Sequence, residues 1–185
     1  MARPKRYVAL LRGINVGGKN LIKMTALAAV FEELGFAGVA TYIQSGNVLF
    51  SATASDPDRL EKKIEEALSK RFKYESRIVA VSQEQLKAAV EGAPKGFGKE
   101  PAKFRYDVIF LKRPLTAADA IKRISLKEGV DAAGTGKEVL YFSRLTAKAS
   151  QSRLPRVTQL PEYRYMTIRN WNTVTKLLSL METGG

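Results

Sequence analysis

Two hydrophobic periods alternate along the first 81 residues of the chain. Short apolar or alternating runs, typical of strands, occupy residues 5–12, 38–43, 48–50 and 77–81. Between them, apolar residues recur at helical spacing, at Leu27, Val30, Phe31 and Leu34 before Gly35, and at Leu60, Ile64 and Leu68 as far as about Arg71. Ser55-Asp56-Pro57 supplies an N-cap signal for the second helix. The order βαββαβ predicts an α+β fold of the ferredoxin-like type.

The second half of the chain has a less regular pattern. Ser82 is expected to cap a short helix, and the basic, glycine-rich stretch 93–103 is the best candidate for an internal boundary. Strands are predicted at 104–111, 139–143 and 163–168, and helices at 117–124 and 172–181, with a polar segment at 144–162. We therefore predict two subdomains, residues 1–92 and 93–185. The second is a smaller α+β layer that would be a diverged copy of the first, although no repeat is visible in the residues themselves.

The loop at 13–20, within LRGINVGGKN, combines glycines, asparagines and basic residues. Gly13, Gly18 and Lys19 have the spacing of a phosphate-binding P-loop. However, Asn20 stands where that motif needs a hydroxyl, the next helix begins only near Lys23, and no strand that ends in an aspartate follows. Two interpretations remain: a looser anion-binding loop of backbone amides, or a structural loop whose glycines permit positive φ and whose asparagines bond their own backbone.

Two further polar motifs stand out. In TYIQSGNV, the side chains of Gln44, Ser45 and Asn47 lie within four residues, at a predicted hairpin turn. They either contact a ligand or simply form the turn. In TIRNWNT, the only tryptophan lies beside Arg169, Asn170 and Asn172. In one interpretation Asn170 or Asn172 caps the last helix and Trp171 lies in the core. In the other, Arg169 contacts a carboxylate or phosphate of a ligand and Trp171 stacks on a ring.

The charge distribution points to an anionic partner. The formal net charge is +13, residues 1–31 hold six Lys/Arg and no acid, and residues 95–127 hold nine Lys/Arg and three acids. Such asymmetry suggests a nucleotide or a nucleic acid, although a basic surface also serves solubility. Aromatic residues are interleaved with cations at Phe97, Phe104, Arg105 and Tyr106, and again at Tyr163, Arg164 and Tyr165. This pattern is compatible with single-stranded nucleic acid and is also common in strand cores.

The absence of cysteine and histidine from the sequence restricts its chemistry. Thiolate chemistry, histidine-based triads and the usual zinc sites are excluded. We expect no metal site and no cofactor, and the catalytic residues, if any, are unknown. A phosphoryl- or nucleotidyl-transfer enzyme that uses Lys19 and Arg12 electrostatically is an alternative, but no carboxylate pair for magnesium lies near the loop. The sequence favours a binding protein over an enzyme.

The motifs together resemble a known family. RYVALLRGINVGGKNLIKM, FEELGF, TYIQSGNVLF and TIRNWNTVTKLL are similar to the bacterial family known as domain of unknown function 1697, over residues 5 to 182. The resemblance implies a two-subdomain α+β fold with a ferredoxin-like N-terminal half. It implies no established activity, substrate or catalytic residue.

The leading expectation is a protein that binds an anionic ligand, a nucleotide or a nucleic acid, at the glycine-rich loop. The candidate ligand-binding residues are Arg12, Asn15, Gly17, Gly18, Lys19, Asn20, Gln44, Ser45, Asn47, Arg169, Asn170 and Asn172. In a βαββαβ sheet the segment after strand one and the turn before strand three meet at one end. A structural or protein-interaction module without a small-molecule ligand is the third alternative. No apolar run is long enough for a membrane span or signal-peptide core, so we expect a cytoplasmic protein without a membrane partner. The sequence leaves the oligomeric state open, with a monomer favoured.

Overall fold

The computed structural model describes residues 3–53 and 56–184, and they form two compact units. Unit 1 comprises the residues up to Glu84 together with those from Leu177 onward, and unit 2 comprises Gln85–Lys176. Each contains one four-stranded antiparallel sheet with helices, so the predicted α+β class is confirmed. The helix Gln83–Glu91 crosses the division between the two units, and the boundary predicted after residue 92 lies at the end of this helix. The division of the chain into two separate domains at that boundary stays a prediction.

Unit 1 has the predicted βαββαβ order, followed by a third helix that continues into unit 2. Its elements are β1 (Lys5–Leu11), α1 (Met24–Glu33), β2 (Ala37–Tyr42), β3 (Asn47–Ala52), α2 (Pro57–Phe72), β4 (Ile78–Ser82) and α3 (Gln83–Glu91). The strand order is β2-β3-β1-β4, and β1 pairs antiparallel with both neighbours, Tyr7 lying opposite Phe50 and Ser82. This is the ferredoxin-like sheet that the sequence predicts.

One face of this sheet carries the core of unit 1. Alternate strand residues, among them Tyr7, Phe50 and Ile78, pack against Phe31 of α1 and Ile64 of α2. The apolar positions that predict the two helices are the ones they bury. Asp56 caps α2 as predicted, since its carboxylate accepts from the amides of Asp58 and Arg59. The predicted contribution of Ser55 lies outside the described residues.

Unit 2 repeats the topology of unit 1. Its elements are β5 (Phe104–Leu111), α4 (Ala117–Arg123), β6 (Asp131–Thr135), β7 (Val139–Leu145), α5 (Leu154–Val157) and β8 (Met166–Asn170), with 3-10 turns at Thr146–Gln151 and Pro161–Tyr165 and a final helix, α6 (Trp171–Thr183). The strand order β6-β7-β5-β8 corresponds position by position to β2-β3-β1-β4. The topology therefore supports the expectation of a diverged copy.

The two faces of the unit 2 sheet differ in their covering. Ile109 of β5, Phe142 of β7 and Ile168 of β8 face the core, where Ala120 of α4 and Leu154 of α5 pack against the sheet. Residues in the alternate positions point away from these helices because successive side chains in a strand project to opposite faces. These alternate positions on β5 and β7 are Phe104, Tyr106, Val108, Phe110, Val139, Tyr141 and Ser143.

Three sequence predictions need correction. Strand β6 was missed because Asp131–Thr135 (DAAGT) has small residues and no apolar alternation, and pairing with β7 makes it a strand. Residues 163–165 are a 3-10 turn, because Pro161 fixes φ and the Tyr163 amide donates to the Leu160 carbonyl, so the last strand begins at Met166. Ile43 ends the second predicted strand early, since its φ of 49° is left-handed.

Within the described residues no helix is long and apolar enough to cross a membrane.

Candidate functional site

The glycine-rich loop forms a tight two-residue turn. Val16 and Lys19 form an antiparallel bridge, and the Lys19 amide donates to the Val16 carbonyl at 3.1 Å. Gly17 and Gly18, the two central residues, have φ of 57° and 74°. Positive φ at both positions is the requirement of a type I′ hairpin turn, which explains the paired glycines. The helix follows only at Met24, so the glycine turn does not lead directly into a helix N-terminus as the glycines of a P-loop do.

Two asparagines hold this turn in place. The Asn15 side-chain amide donates to the carbonyls of Ile22 (3.1 Å) and Gln44 (2.9 Å), and its oxygen accepts from the Ile22 amide at 2.8 Å. The Asn20 amide donates to the Gly13 carbonyl at 2.8 Å. Both asparagines have left-handed φ, of 53° and 49°, which this residue type tolerates well. Their side chains therefore have a structural role, and direct ligand contact by them stays a prediction.

The turn before β3 packs directly against the loop. The Leu11 amide donates to the Gly46 carbonyl at 2.8 Å, and a Cβ on Gly46 would lie only 2.7 Å from Cδ1 of Ile14. Only glycine fits at this position. Asn47 is fully buried and donates to the Tyr42 carbonyl (2.9 Å) and the Ser45 hydroxyl (3.2 Å). The first two motifs thus meet at one end of the unit 1 sheet, as the topology predicts.

The solvent-exposed surface of the glycine-rich loop and the adjoining turn is apolar and basic. Lys19 and Lys23 are exposed, and Lys23 directly precedes α1, which has no side-chain cap and no acid in its first turn. Three large aliphatic side chains are also exposed, at fractions of 64% for Val16, 76% for Leu21 and 46% for Ile43. Ile43 holds a left-handed φ that is unusual for a β-branched residue, and such strain is commonly found at functional sites.

The third motif lies in unit 2. Asn170 caps α6, because its side-chain oxygen accepts from the Asn172 amide at 3.0 Å, and this confirms one of the predicted roles. Arg169 is buried, and its guanidinium donates to the Thr167 hydroxyl (3.0 Å) and the Ile168 carbonyl (2.9 Å). Burial lowers the pKa of Arg169 to about 10. Ligand contacts by Arg169, Asn170 and Asn172 stay a prediction.

A cavity of about 380 Å³ opens on the sheet face of unit 2 that points away from α4 and α5. Its aromatic wall is centred on Phe97, whose ring lies edge-on to Tyr106 (4.8 Å between centroids), Tyr141 (5.3 Å) and Trp171 (5.1 Å). Phe104 completes this wall beside Tyr106. Edge-on packing fixes these rings relative to one another.

The sequence indicated only part of this wall. Phe97, Phe104 and Tyr106 belong to the interleaved pattern, but Arg105 projects to the opposite face, and Tyr163, Arg164 and Tyr165 form a 3-10 turn before β8. Tyr141, Ser143 and the β6 backbone were missed. Tyr141 and Ser143 lie opposite residues of β5, and the sequence indicates this only once β5 and β7 are known to be neighbours.

No group of three or more acidic side chains in residues 3–53 and 56–184 is arranged to hold a metal ion.

Comparisons with known proteins agree with this architecture. A solved structure, described as "The structure of conserved bacterial protein SP0830 from Streptococcus pneumoniae", matches with a TM-score of 0.82 and 28% identity, over 97% of this chain and 99% of that one. No curated protein matches the chain. The family model described as "Protein of unknown function (DUF1697)" matches residues 5–141. The chain belongs to this family, as its motifs led us to expect.

Proposed function

We propose that the protein binds a nucleic acid, and that the glycine-rich loop of unit 1 contacts its phosphate backbone. One observation carries this proposal: hydrogen bonds from the Asn15 and Asn20 side chains hold the loop backbone in place, while the tip of the loop, with Lys19 at its end, is exposed to solvent. A pinned tip has little conformational freedom to lose on binding, which favours affinity. Because the tip projects rather than encloses, it suits an extended polyanion better than a single small phosphate.

The local charges support a phosphate contact. Lys19 and Lys23 are both exposed, and residues 1–31 contain no acid to compensate them. The uncapped first turn of α1 adds backbone N–H groups and the positive end of the helix dipole beside Lys23. Phosphate contacts by lysines, backbone amides and helix N-termini position a nucleic acid without reading its sequence. We therefore expect binding with little sequence preference and strong dependence on salt.

The test is a salt titration of binding with paired lysine variants. Fluorescein-labelled RNA and DNA, single-stranded and duplex, are titrated with the full chain by fluorescence anisotropy. In the double variant Lys19→Ala/Lys23→Ala we expect about tenfold weaker binding, and a salt slope lower by roughly 0.7–0.9 for each lost phosphate contact. The control Lys62→Ala/Lys70→Ala removes the same charge from exposed positions of α2.

Equal losses in the two double variants would show that only net charge matters and would overturn the role of the loop. An absence of binding to any of these nucleic acids at low salt would overturn the proposal as a whole.

A further inference from the structure

The cavity of unit 2 has walls suited to a flat ring. Phe97 and Phe104 are half-buried, so part of each ring is open to solvent, while Tyr106 and Tyr141 are buried behind them. The Tyr141 hydroxyl donates to the Ala89 carbonyl at 2.6 Å, and the Tyr106 hydroxyl accepts from the Glu100 amide at 3.3 Å. These bonds anchor the two rings at the back of the cavity. An aromatic wall of this kind stacks on nucleobases and tolerates any of them.

The lining of the cavity also includes groups that can form hydrogen bonds. Ala132, Ala133 and Gly134 of β6 line it, together with the Ser143 hydroxyl. Among the described strands β6 pairs only with β7, so its other edge presents backbone N–H and C=O groups. A base whose face lies against the aromatic wall has an edge rich in donors and acceptors, and such an edge complements the groups of β6 and Ser143.

The charge at the rim complements a phosphate. Lys95 lines the cavity, and Lys99 and Lys103 follow it in the same exposed segment, where Glu100 is the only acid. The Lys103 ammonium lies 5.1 Å from the centroid of the Phe104 ring. Cations beside a stacking surface are the combination that binds a base together with its sugar-phosphate backbone.

We propose that this cavity receives one unstacked base of a single-stranded nucleic acid, with the adjacent phosphate at Lys95. The inference rests on the proposed function and makes it specific, because a base in a duplex is paired and stacked and would have to be extruded before it could enter the cavity. A cavity of about 380 Å³ is near the lower end of ligand sites, which suits one base and not a duplex.

The experiment compares strands and follows the single tryptophan. Trp171 contacts Phe97 and reports on the cavity wall. An unlabelled single strand of about 12 nucleotides, its duplex and the corresponding mononucleotides are added to the full chain while tryptophan emission is recorded. Affinities for the labelled forms come from anisotropy. We expect the single strand to bind at least tenfold tighter than the duplex or any mononucleotide, and to change the Trp171 emission at saturation.

Two variants locate the effect. Phe104→Leu keeps apolar volume but removes a stacking face, and we expect about tenfold weaker single-strand binding. Phe72→Leu, at a half-buried position of α2 in unit 1, is its matched control. Lys95→Ala should weaken binding severalfold, whereas Lys122→Ala, on α4 at the opposite face of the sheet, should not. Circular dichroism and thermal melting confirm that each variant is folded.

The outcomes separate the two proposals. If the single strand and the duplex bind equally, if Trp171 emission is unchanged, or if Phe104→Leu matches its control, the cavity proposal is overturned. If in that case the loss in Lys19→Ala/Lys23→Ala remains, the proposed function survives. If instead Phe104→Leu and Lys95→Ala weaken single-strand binding and the double lysine variant matches its control, the cavity is the binding site and the proposed role of the loop is wrong.

Discussion

The two units share one topology but use the second face of the sheet differently. In unit 1 the face away from α1 and α2 carries buried aliphatic side chains, Val8, Leu10, Leu49, Val79 and Val81. In unit 2 the corresponding positions of β5 and β7 include Phe104, Tyr106 and Tyr141, which adjoin a cavity. The same strand order therefore supports a sheet face of buried aliphatic side chains in unit 1 and a sheet face that adjoins an aromatic cavity in unit 2.

The connections after the first strand of each unit also differ. Between β1 and α1, residues 12–23 include the pinned glycine turn, whereas between β5 and α4 only residues 112–116 intervene. Unit 1 therefore carries its candidate site on a loop, whose asparagines are occupied with holding the backbone. Unit 2 carries its candidate site on strand side chains. Substitutions that affect one construction and leave the other unchanged test this contrast.

The largest effect is expected from Gly98→Ala in the cavity wall of unit 2. A Cβ there would lie 2.2 Å from Nε1 of Trp171, and φ is +80°, which is unfavourable for alanine. We expect the free energy of unfolding to fall by about 3 kcal/mol, the sum of overpacking and backbone strain, with a shift in Trp171 emission. Urea denaturation and fluorescence measure both.

Gly96→Ala is the matched control for this substitution. Gly96 has φ of +84° but no atom within 4 Å of an added Cβ, so only the strain of about 1–2 kcal/mol applies. Equal destabilisation by the two substitutions would contradict the close packing of Gly98 on the indole and weaken the description of the wall as fixed.

The second-largest expected effect is a loss of stability caused by a substitution in the glycine-rich loop of unit 1. Asn15→Ala removes three hydrogen bonds that join the loop to Ile22 and to the turn at Gln44. At about 0.5–1.5 kcal/mol each, we expect a loss of roughly 2 kcal/mol in urea denaturation, and faster amide exchange at Leu11 and Ile22. Asn20→Ala, at a similar left-handed φ, removes one such bond and should cost less. If the order is reversed, Asn15 is not the main attachment of the loop.

Sequence patterns predicted those parts of the fold that are decided by local periodicity. Positions such as Leu27 and Ile64 are buried because their spacing already selects one helix face. Strand β6 has no such signal, since a strand of alanine and glycine is defined by its neighbour. Similarly, the spacing of Gly13, Gly18 and Lys19 does not distinguish a phosphate loop from a type I′ turn. That distinction depends on φ at Gly17 and Gly18 and on the position at which α1 begins.

The candidate sites were predictable to different degrees for the same reason. The meeting of the loop with the turn at 44–47 follows from the strand order, so βαββαβ alone predicts it. The cavity requires Phe97, on a loop, to meet Tyr141, on β7, which are far apart in sequence. Local pattern contains no information on that contact, and composition indicated only that aromatics and lysines alternate nearby.

The smallest expected effect is on the pH dependence of the free energy of unfolding. It concerns the buried acidic residues on the helix-covered side of each sheet. In unit 1 the buried Glu61 carboxylate accepts from the Ala80 amide at 2.8 Å. In unit 2 the buried Asp107 carboxylate instead faces Arg144, with 3.4 Å between Oδ2 and Nη2. Burial raises the pKa of Asp107 above its ordinary value of 3.8, although Arg144 and Arg105 act to lower it.

The sign of the effect follows from proton linkage. Because the pKa of Asp107 is higher in the folded chain, the folded state retains a proton that the unfolded state has released. Ionisation of Asp107 therefore lowers stability as pH rises from 3.8 through the folded pKa. Asp107→Asn cannot ionise, so its free energy of unfolding relative to wild type should increase between about pH 4 and about pH 7. Glu128→Gln, at an exposed position of unit 2, is the control. A constant difference for Asp107→Asn would mean that attraction to the two arginines offsets burial, and a decreasing difference would mean that it outweighs burial; either result would contradict the prediction.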